Sequence, residues 1–226
     1  MHPIFKISSR ISPIFRRRRL QRFLESFKPT EETSMLDVGG LPRAWSDVRV
    51  PGSMQIVNLE PLDAYEESFL AGNQRFVVGD GTRLHYRNQT FDIVYSNSVI
   101  EHLGTWERQV AFAREARRVG RGYWIQTPAK ECPIEPHYFG LFVHWFPKRV
   151  QRRLLSYFTL WGLLRRPTEE ILDEVLSELR LLTHREFKTL FPDAQIWTER
   201  LCGFRKSYTA FKVPVPAGAV QTFGER

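Results

Sequence analysis

The sequence predicts an α/β fold built on an open, largely parallel sheet. Three observations predict it. Short apolar runs recur at Met35–Val38, Gln55–Leu59, Arg75–Val78, Phe91–Tyr95 and Tyr123–Gln126. Each has the length of a buried strand and is too short for an amphipathic helix. The first three end at a carboxylate, in Asp37-Val38-Gly39-Gly40, Glu60-Pro61 and Gly79-Asp80-Gly81. Glycine at a strand end permits a sharp turn and a close approach of backbone to ligand. In open α/β sheets the ligand crevice lies outside the carboxyl ends of the strands.

Residues 1–28 read as a basic N-terminal arm. They hold eight Lys and Arg against one acid, Glu25, so most of the net charge of +8 belongs to them. The rest of the chain is near neutral, which argues against a basic nucleic-acid-binding face. The arm begins irregularly, with Pro and Ser. From Ile14 to Phe27 its apolar residues partly follow helical spacing among arginines. That pattern suits an amphipathic helix lying on the domain, on a membrane surface or over the crevice.

The first strand is followed by Leu41-Pro42-Arg43-Ala44-Trp45 and a short helix. Glu60, at the end of the second strand, lies 23 positions after Asp37. A carboxylate at about that spacing is placed to accept hydrogen bonds from both hydroxyls of a ribose. Asp80, after the third strand, reads either as an ordinary Asp-Gly turn or as an acceptor for an exocyclic amine. The fourth strand, mostly apolar as a central parallel strand should be, leads into Ser96-Asn97-Ser98-Val99-Ile100-Glu101-His102-Leu103. A helix is predicted from about Thr105 to Arg118, with Trp106, Val110, Ala113 and Arg117 on one face toward the sheet.

The fifth strand ends at Thr127-Pro128, and the character then changes. Residues 129–166 are rich in aromatics and proline and read as an inserted lid. Thr168 opens a helix to about Leu182, and Thr183-His184-Arg185-Glu186 is a capping box that starts another. Ala194–Thr198 and Tyr208–Val213 pair as two late strands. The expected organisation is the arm (1–28), one domain (29–216) carrying the lid (129–166), and a loose tail (217–226).

A chain of 226 residues with 42% hydrophobic residues is enough for one sizeable core. Its two cysteines, Cys132 and Cys202, exclude a disulfide framework and a cysteine-rich zinc site. The uncharged run Leu154–Leu164 has 11 residues, where a membrane span needs about 20. No signal-peptide pattern is read at the N-terminus. A cytoplasmic location is expected, with peripheral contact to the inner membrane face through arm and lid.

The four strand ends in their order resemble the class I S-adenosylmethionine-dependent methyltransferases, in particular the broad methyltransferase type 11 group. The matching pieces are Leu36–Gly40, Leu59-Glu60-Pro61, Val78–Gly81 and Phe91–His102. The resemblance implies a Rossmann-like seven-stranded sheet of order 3-2-1-4-5-7-6 with strand 7 antiparallel, and S-adenosyl-L-methionine as cofactor. It implies that Asp37, Gly39 and Gly40 line the methionine and ribose end of the cofactor. Glu60 would hold the ribose hydroxyls, Leu62 would press on adenine, Asp80 and Gly81 would meet the adenine edge, and Ser96 and Asn97 would sit beside the sulfonium. One departure stands out: Leu41 and Arg43 occupy positions where the family's loop carries glycine.

Methyl transfer from a sulfonium needs alignment first and a general base only when the acceptor must lose a proton. His102 and His137 are the candidate bases, and His144 reads as a packing residue. No metal is expected, because the ubiquinone-pathway O-methyltransferases, similar at Glu101-His102, carry another glutamate where this chain has Ser98. Tyr138, Phe139, Phe142, Trp145 and Phe146 could wall a pocket for a small or lipid-linked acceptor, or form the lid's own core. The sequence thus predicts a methyltransferase acting on a small or lipid-linked acceptor, with oxygen as the expected atom. The alternative is a methyltransferase-like binding or scaffold domain without turnover.

Overall fold

A computed structural model describes residues 4–135 and 140–214. Its centre is a sheet of β1 (Ser34–Val38), β2 (Ser53–Asn58), β3 (Gln74–Val78), β4 (Phe91–Asn97), β5 (Gly120–Pro128), β6 (Gln195–Leu201) and β7 (Phe204–Lys212). The order is β3-β2-β1-β4-β5-β7-β6. The first five strands run parallel, and β7 is antiparallel to both its neighbours. This is the Rossmann-like methyltransferase sheet that the resemblance implied.

The register aligns the strand ends. Val38 lies opposite Val57, and Val57 opposite Val77. On the other side, the Ser96 hydroxyl donates to the Val38 carbonyl at 2.8 Å. Strands β1 to β4 therefore stop at nearly the same level, and their loops leave from one rim.

Helices cover both faces. On one face α3 (Trp106–Val119) and α7 (His184–Leu190) pack over Leu36, Val38, Val57, Val94 and Tyr208. Thr105 caps α3, and the Thr183–Glu186 capping box starts α7, as the sequence predicted. The buried face of α3 is Gln109, Phe112, Ala113, Ala116 and Val119, whereas Val110 is 40% exposed. Of the predicted face, Ala113 is buried and Trp106 packs against the core, whereas Val110 and Arg117 turn outward. The reason is Gln109, which can be buried because its amide donates to the carbonyls of Ile100 and Arg180.

The other face is covered by α1 (Ile4–Phe27), which starts ten residues before the predicted helix and runs through Pro13. Leu20 and the fully buried Phe23 sit among Trp45, Tyr95, Trp124 and Phe211. Arg19, buried, pairs with Glu199 of β6 at 3.4 Å, and Ser207 of β7 donates to the same carboxylate. Arg22 lies over the Trp197 ring, 4.5 Å from its centroid. The last turns of α1 are therefore bound to the core by one apolar anchor and one buried ion pair.

After β5, Ile134–Glu135 and Gly140–Leu141 form a two-residue ladder, followed by α4 (Lys148–Phe158), α5 (Leu160–Arg165) and α6 (Glu169–Glu178). These elements share a small core of their own: Val143, Leu155, Leu172 and Leu176. Helix α6 stops short of the predicted Leu182, since Leu182 instead bridges to Ala129 beside the sheet. The predicted tail, residues 217–226, lies outside the described residues.

If α1 is an integral part of the core, Phe23→Ala lowers the urea-unfolding free energy by about 3–5 kcal/mol. Arg17→Ala and Arg18→Ala, at exposed positions of the same helix, change it by less than about 0.5 kcal/mol.

Candidate cofactor site

Asp37 is the penultimate residue of β1, and its side chain is buried. Its Oδ2 accepts a hydrogen bond from the Trp45 indole N–H at 2.7 Å. Trp45 reaches it from a 3-10 turn, Pro42–Trp45, whose first helical position is held by Pro42. Burial pushes the Asp37 carboxyl up to about 7, against the opposing pull of the Trp45 bond and the Arg16 charge. Tyr95, packed edge-on to Trp45 at 4.8 Å, is also pushed up, first by burial and then by Asp37.

The glycine pair makes this arrangement possible. Gly39 has φ +78°, and a Cβ there would lie 2.5 Å from a Val99 methyl. A Cβ on Gly40 would lie 1.8 Å from the Asp37 carboxylate oxygen. The Gly40 carbonyl accepts from the Asn58 side chain at 3.0 Å, which ties the β1 loop to the end of β2. Gly81 is equally constrained, since its Cβ would meet Val38 at 2.6 Å and Phe112 at 3.0 Å. The three glycines are needed where the loops after β1 and β3 press on the floor of the rim.

The other predicted residues fall around the same rim in different states. Glu60 is exposed and Leu62 half-buried, two and four positions after β2. Asp80 accepts from the Thr82 N–H and hydroxyl, both at 2.8 Å, and pairs with Arg108 at 3.3 Å. Those bonds and the Arg108 charge outweigh its partial burial and hold its carboxyl below the usual range. Ser96 is fully buried, and its hydroxyl is committed to the Val38 carbonyl. Asn97, at the end of β4, has a buried Oδ1 with no hydrogen-bond partner. His102 is exposed on the 3-10 turn Ile100–Leu103. His137 lies outside the described residues, as do Tyr138 and Phe139. His144 is buried, with Nε2 2.9 Å from the Lys130 carbonyl.

Several contributors were not singled out in the sequence. Trp45 is the hydrogen-bond donor to Asp37. Glu66, buried on the short helix α2 (Ala64–Glu67), accepts from the Arg43 N–H and pairs with its guanidinium at 3.3 Å. Arg43 also lies over the Tyr65 ring at 5.6 Å. The arginine in the glycine loop thus has its head group fixed toward α2. Ser98 takes φ +57° and is held by two bonds to Gln126 of β5, one from its N–H and one from its hydroxyl. The signal for Trp45 and Glu66 is faint in the sequence, because their partners lie 8 and 23 positions away.

The residues present fit S-adenosylmethionine, the cofactor expected of this fold. The glycines let the rim loops pass where a Cβ would strike Val99, Asp37, Val38 or Phe112. A buried carboxylate and an orphaned amide oxygen face the need to bind a cation and a donor. Among the described residues no group of three or more His, Cys, Asp and Glu side chains is placed to hold a metal ion.

Comparison with known proteins agrees with the fold. A family model described as a methyltransferase domain matches residues 52–122, from β2 into β5. The PH0226 protein of Pyrococcus horikoshii is similar at 15% identity, over 95% of this chain and 97% of that one, with a TM-score of 0.58. A Bordetella parapertussis protein described as a possible exported protein aligns at 13% identity, over 89% and 68%, with a TM-score of 0.56. A chain of a complex that contains the Haloferax volcanii Trm112 methyltransferase activator aligns at 11% identity, over 87% and 88%, with a TM-score of 0.51. No curated protein matches the sequence. The fold is that of the class I S-adenosylmethionine-dependent methyltransferases. Within that fold, the stretch from β2 into β5 matches the methyltransferase-domain family.

The elevated ionisation of Asp37 has a sign that can be checked. The unfolded carboxyl ionises near 3.8 and the folded one near 7. Ionised Asp37 therefore opposes folding, increasingly as pH rises past the lower value and fully above the upper one. Asp37→Asn keeps an acceptor for Trp45 and removes that opposition. Chemical denaturation should find the variant more stable than wild type at pH 8, by at most about 4 kcal/mol, with the gain shrinking toward pH 5.

Proposed function

We propose that the chain is an S-adenosylmethionine-dependent methyltransferase whose acceptor is a small or lipid-linked molecule, methylated at oxygen. The observation that carries this is Asp37. Its carboxylate is buried, accepts from Trp45, and lies beside a glycine that cannot bear a side chain without striking it. A cationic ligand at the rim would answer that buried charge. When bound, the cofactor supplies an electrophilic methyl group on a sulfonium.

In this reading the chain's own residues mainly position. Asp37, with Gly39 and Gly40, holds the cationic methionine end and the neighbouring ribose. Asn97 offers its unpartnered oxygen at the end of β4. Ser96 ties β4 to β1 and so fixes Asn97 at the rim. Glu60 takes the ribose hydroxyls, Leu62 covers adenine, and Asp80 and Gly81 form its far edge. His102 and His137 are the groups that would take a proton from an acceptor hydroxyl as its oxygen attacks.

A second reading is a methyltransferase-like binding domain without turnover. It is favoured by Leu41 and Arg43 in the glycine loop and by the commitment of Asp80 to Arg108. Residues 129–166 are assigned as the lid over the acceptor in the first reading and as an interaction surface in the second.

Calorimetry separates the two. The enzyme reading expects micromolar binding of S-adenosylmethionine and S-adenosylhomocysteine, at least tenfold weaker in Gly40→Ala. No binding of either compound favours the scaffold. For the base, turnover with labelled cofactor and a metabolite extract should fall about 10²–10⁴-fold in His102→Ala or His137→Ala. Unchanged turnover in both variants removes a histidine base.

A further inference from the structure

We infer that helix α4 and the aromatic turn before it dock the protein on an anionic lipid bilayer. The inference rests on the lipid-linked acceptor for its purpose, whereas its test, run without cofactor, does not.

Helix α4 is strongly two-sided. Lys148, Arg149, Arg152 and Arg153 lie along one flank, and Val150, Leu154, Tyr157 and Phe158 along the other. Helices of this kind lie in the plane of a membrane, with the apolar side in the acyl boundary and the basic side at the head groups. Leu155 is buried in the local core with Leu172 and Leu176, and Leu154 packs partly against it, whereas Val150, Tyr157 and Phe158 stay exposed. Tyr157 and Phe158 are 72% and 73% exposed. That is far more than packing within one domain would leave on two adjacent aromatics.

The exposure is collective. Phe142, Trp145, Phe146, Leu154 and Phe158 line one open recess of about 700 Å3. Leu163 and Leu164 of the next helix, α5, are also 59% and 61% exposed. Contiguous apolar surface on this scale marks an interaction site. No helix of the described residues is long and apolar enough to cross a membrane, so contact would be peripheral.

Charge selects the occupant. Arg152 is taken up by Glu169 and Asp173 of α6, which neutralises the nearest acidic residues. Lys148, Arg149 and Arg153 remain exposed beside the aromatics. An apolar surface fringed by exposed cations suits acidic lipid better than it suits a second copy, whose patch would bring the same three cations against these. Phe142, at the head of the turn, packs against Trp145 with ring centroids 4.9 Å apart and is 43% exposed.

The test is vesicle flotation of the full chain with phosphatidylcholine alone and with phosphatidylcholine carrying phosphatidylglycerol. Wild type should float with the acidic vesicles and stay unbound with the neutral ones. Each basic residue near the surface contributes about fivefold to partitioning. Lys148→Glu/Arg149→Glu/Arg153→Glu should therefore lose about a hundredfold or more. Tyr157→Ser/Phe158→Ser should lose at least tenfold, with both variants retaining the wild-type melting temperature and cofactor binding. Failure of wild type to float, or equal flotation of all three proteins, overturns the inference. So does light scattering that shows a wild-type dimer which Tyr157→Ser/Phe158→Ser dissociates, since a second copy would then be the occupant. A chain that floats but binds no S-adenosylmethionine leaves the docking in place and removes the enzyme reading instead.

Discussion

The buried carboxylate of Asp37 is the constraint on which the rest depends. It sits at the end of a central parallel strand, where both faces of the sheet are covered and water is excluded. One indole N–H answers it directly, and a distant arginine helps by charge. That leaves the site short of positive charge. The surrounding sequence follows from this: glycine at position 40 because no side chain fits beside the carboxylate, glycine at 39 because Val99 and a positive φ forbid anything else, and proline at 42 because the turn must bring Trp45 back.

The rim gives the carboxylate a context. Since β1 to β4 end at one level, Gly39, Glu60, Asp80 and Asn97 lie at or just beyond the ends of these strands, along one rim. Helix α1 covers one face of the sheet; its Arg16 donates to the Ala44 carbonyl beside Trp45, and its Arg19 pairs with Glu199 of β6. The basic residues of the N-terminal segment thus have two uses. Some are spent within the fold, and the others, Arg17 and Arg18 among them, remain exposed.

Much of this was legible in the sequence because it is local. A strand ending in glycine announces itself in four or five residues, and so does a capping box. Strand order followed from the resemblance, not from periodicity. What escaped reading was non-local or ambiguous. Trp45 is an ordinary core aromatic until its N–H is seen on Asp37. The burial of Gln109 depends on carbonyls at Ile100 and Arg180, the second 71 positions away. The positive φ of Ser98 has no compositional signature, because nothing about serine requests it; the two bonds that Ser98 donates to Gln126 hold it. Asp80 reads from the sequence either as an Asp-Gly turn or as a ligand acceptor; its bonds from Thr82 are local, and nothing in the turn discloses Arg108 as a partner.

The central claim, that the sheet rim holds a carboxylate poised for a cationic ligand, is tested most directly by observing Asp37 itself. Carbon-13 NMR of the aspartate carboxyls, assigned with Asp37→Asn, would follow its titration with and without S-adenosylmethionine. The account predicts ionisation near pH 7 in the free protein, moving clearly downward when the cofactor binds. An Asp37 that titrates near its ordinary 3.8 in the free protein, or whose titration ignores saturating cofactor, would contradict it.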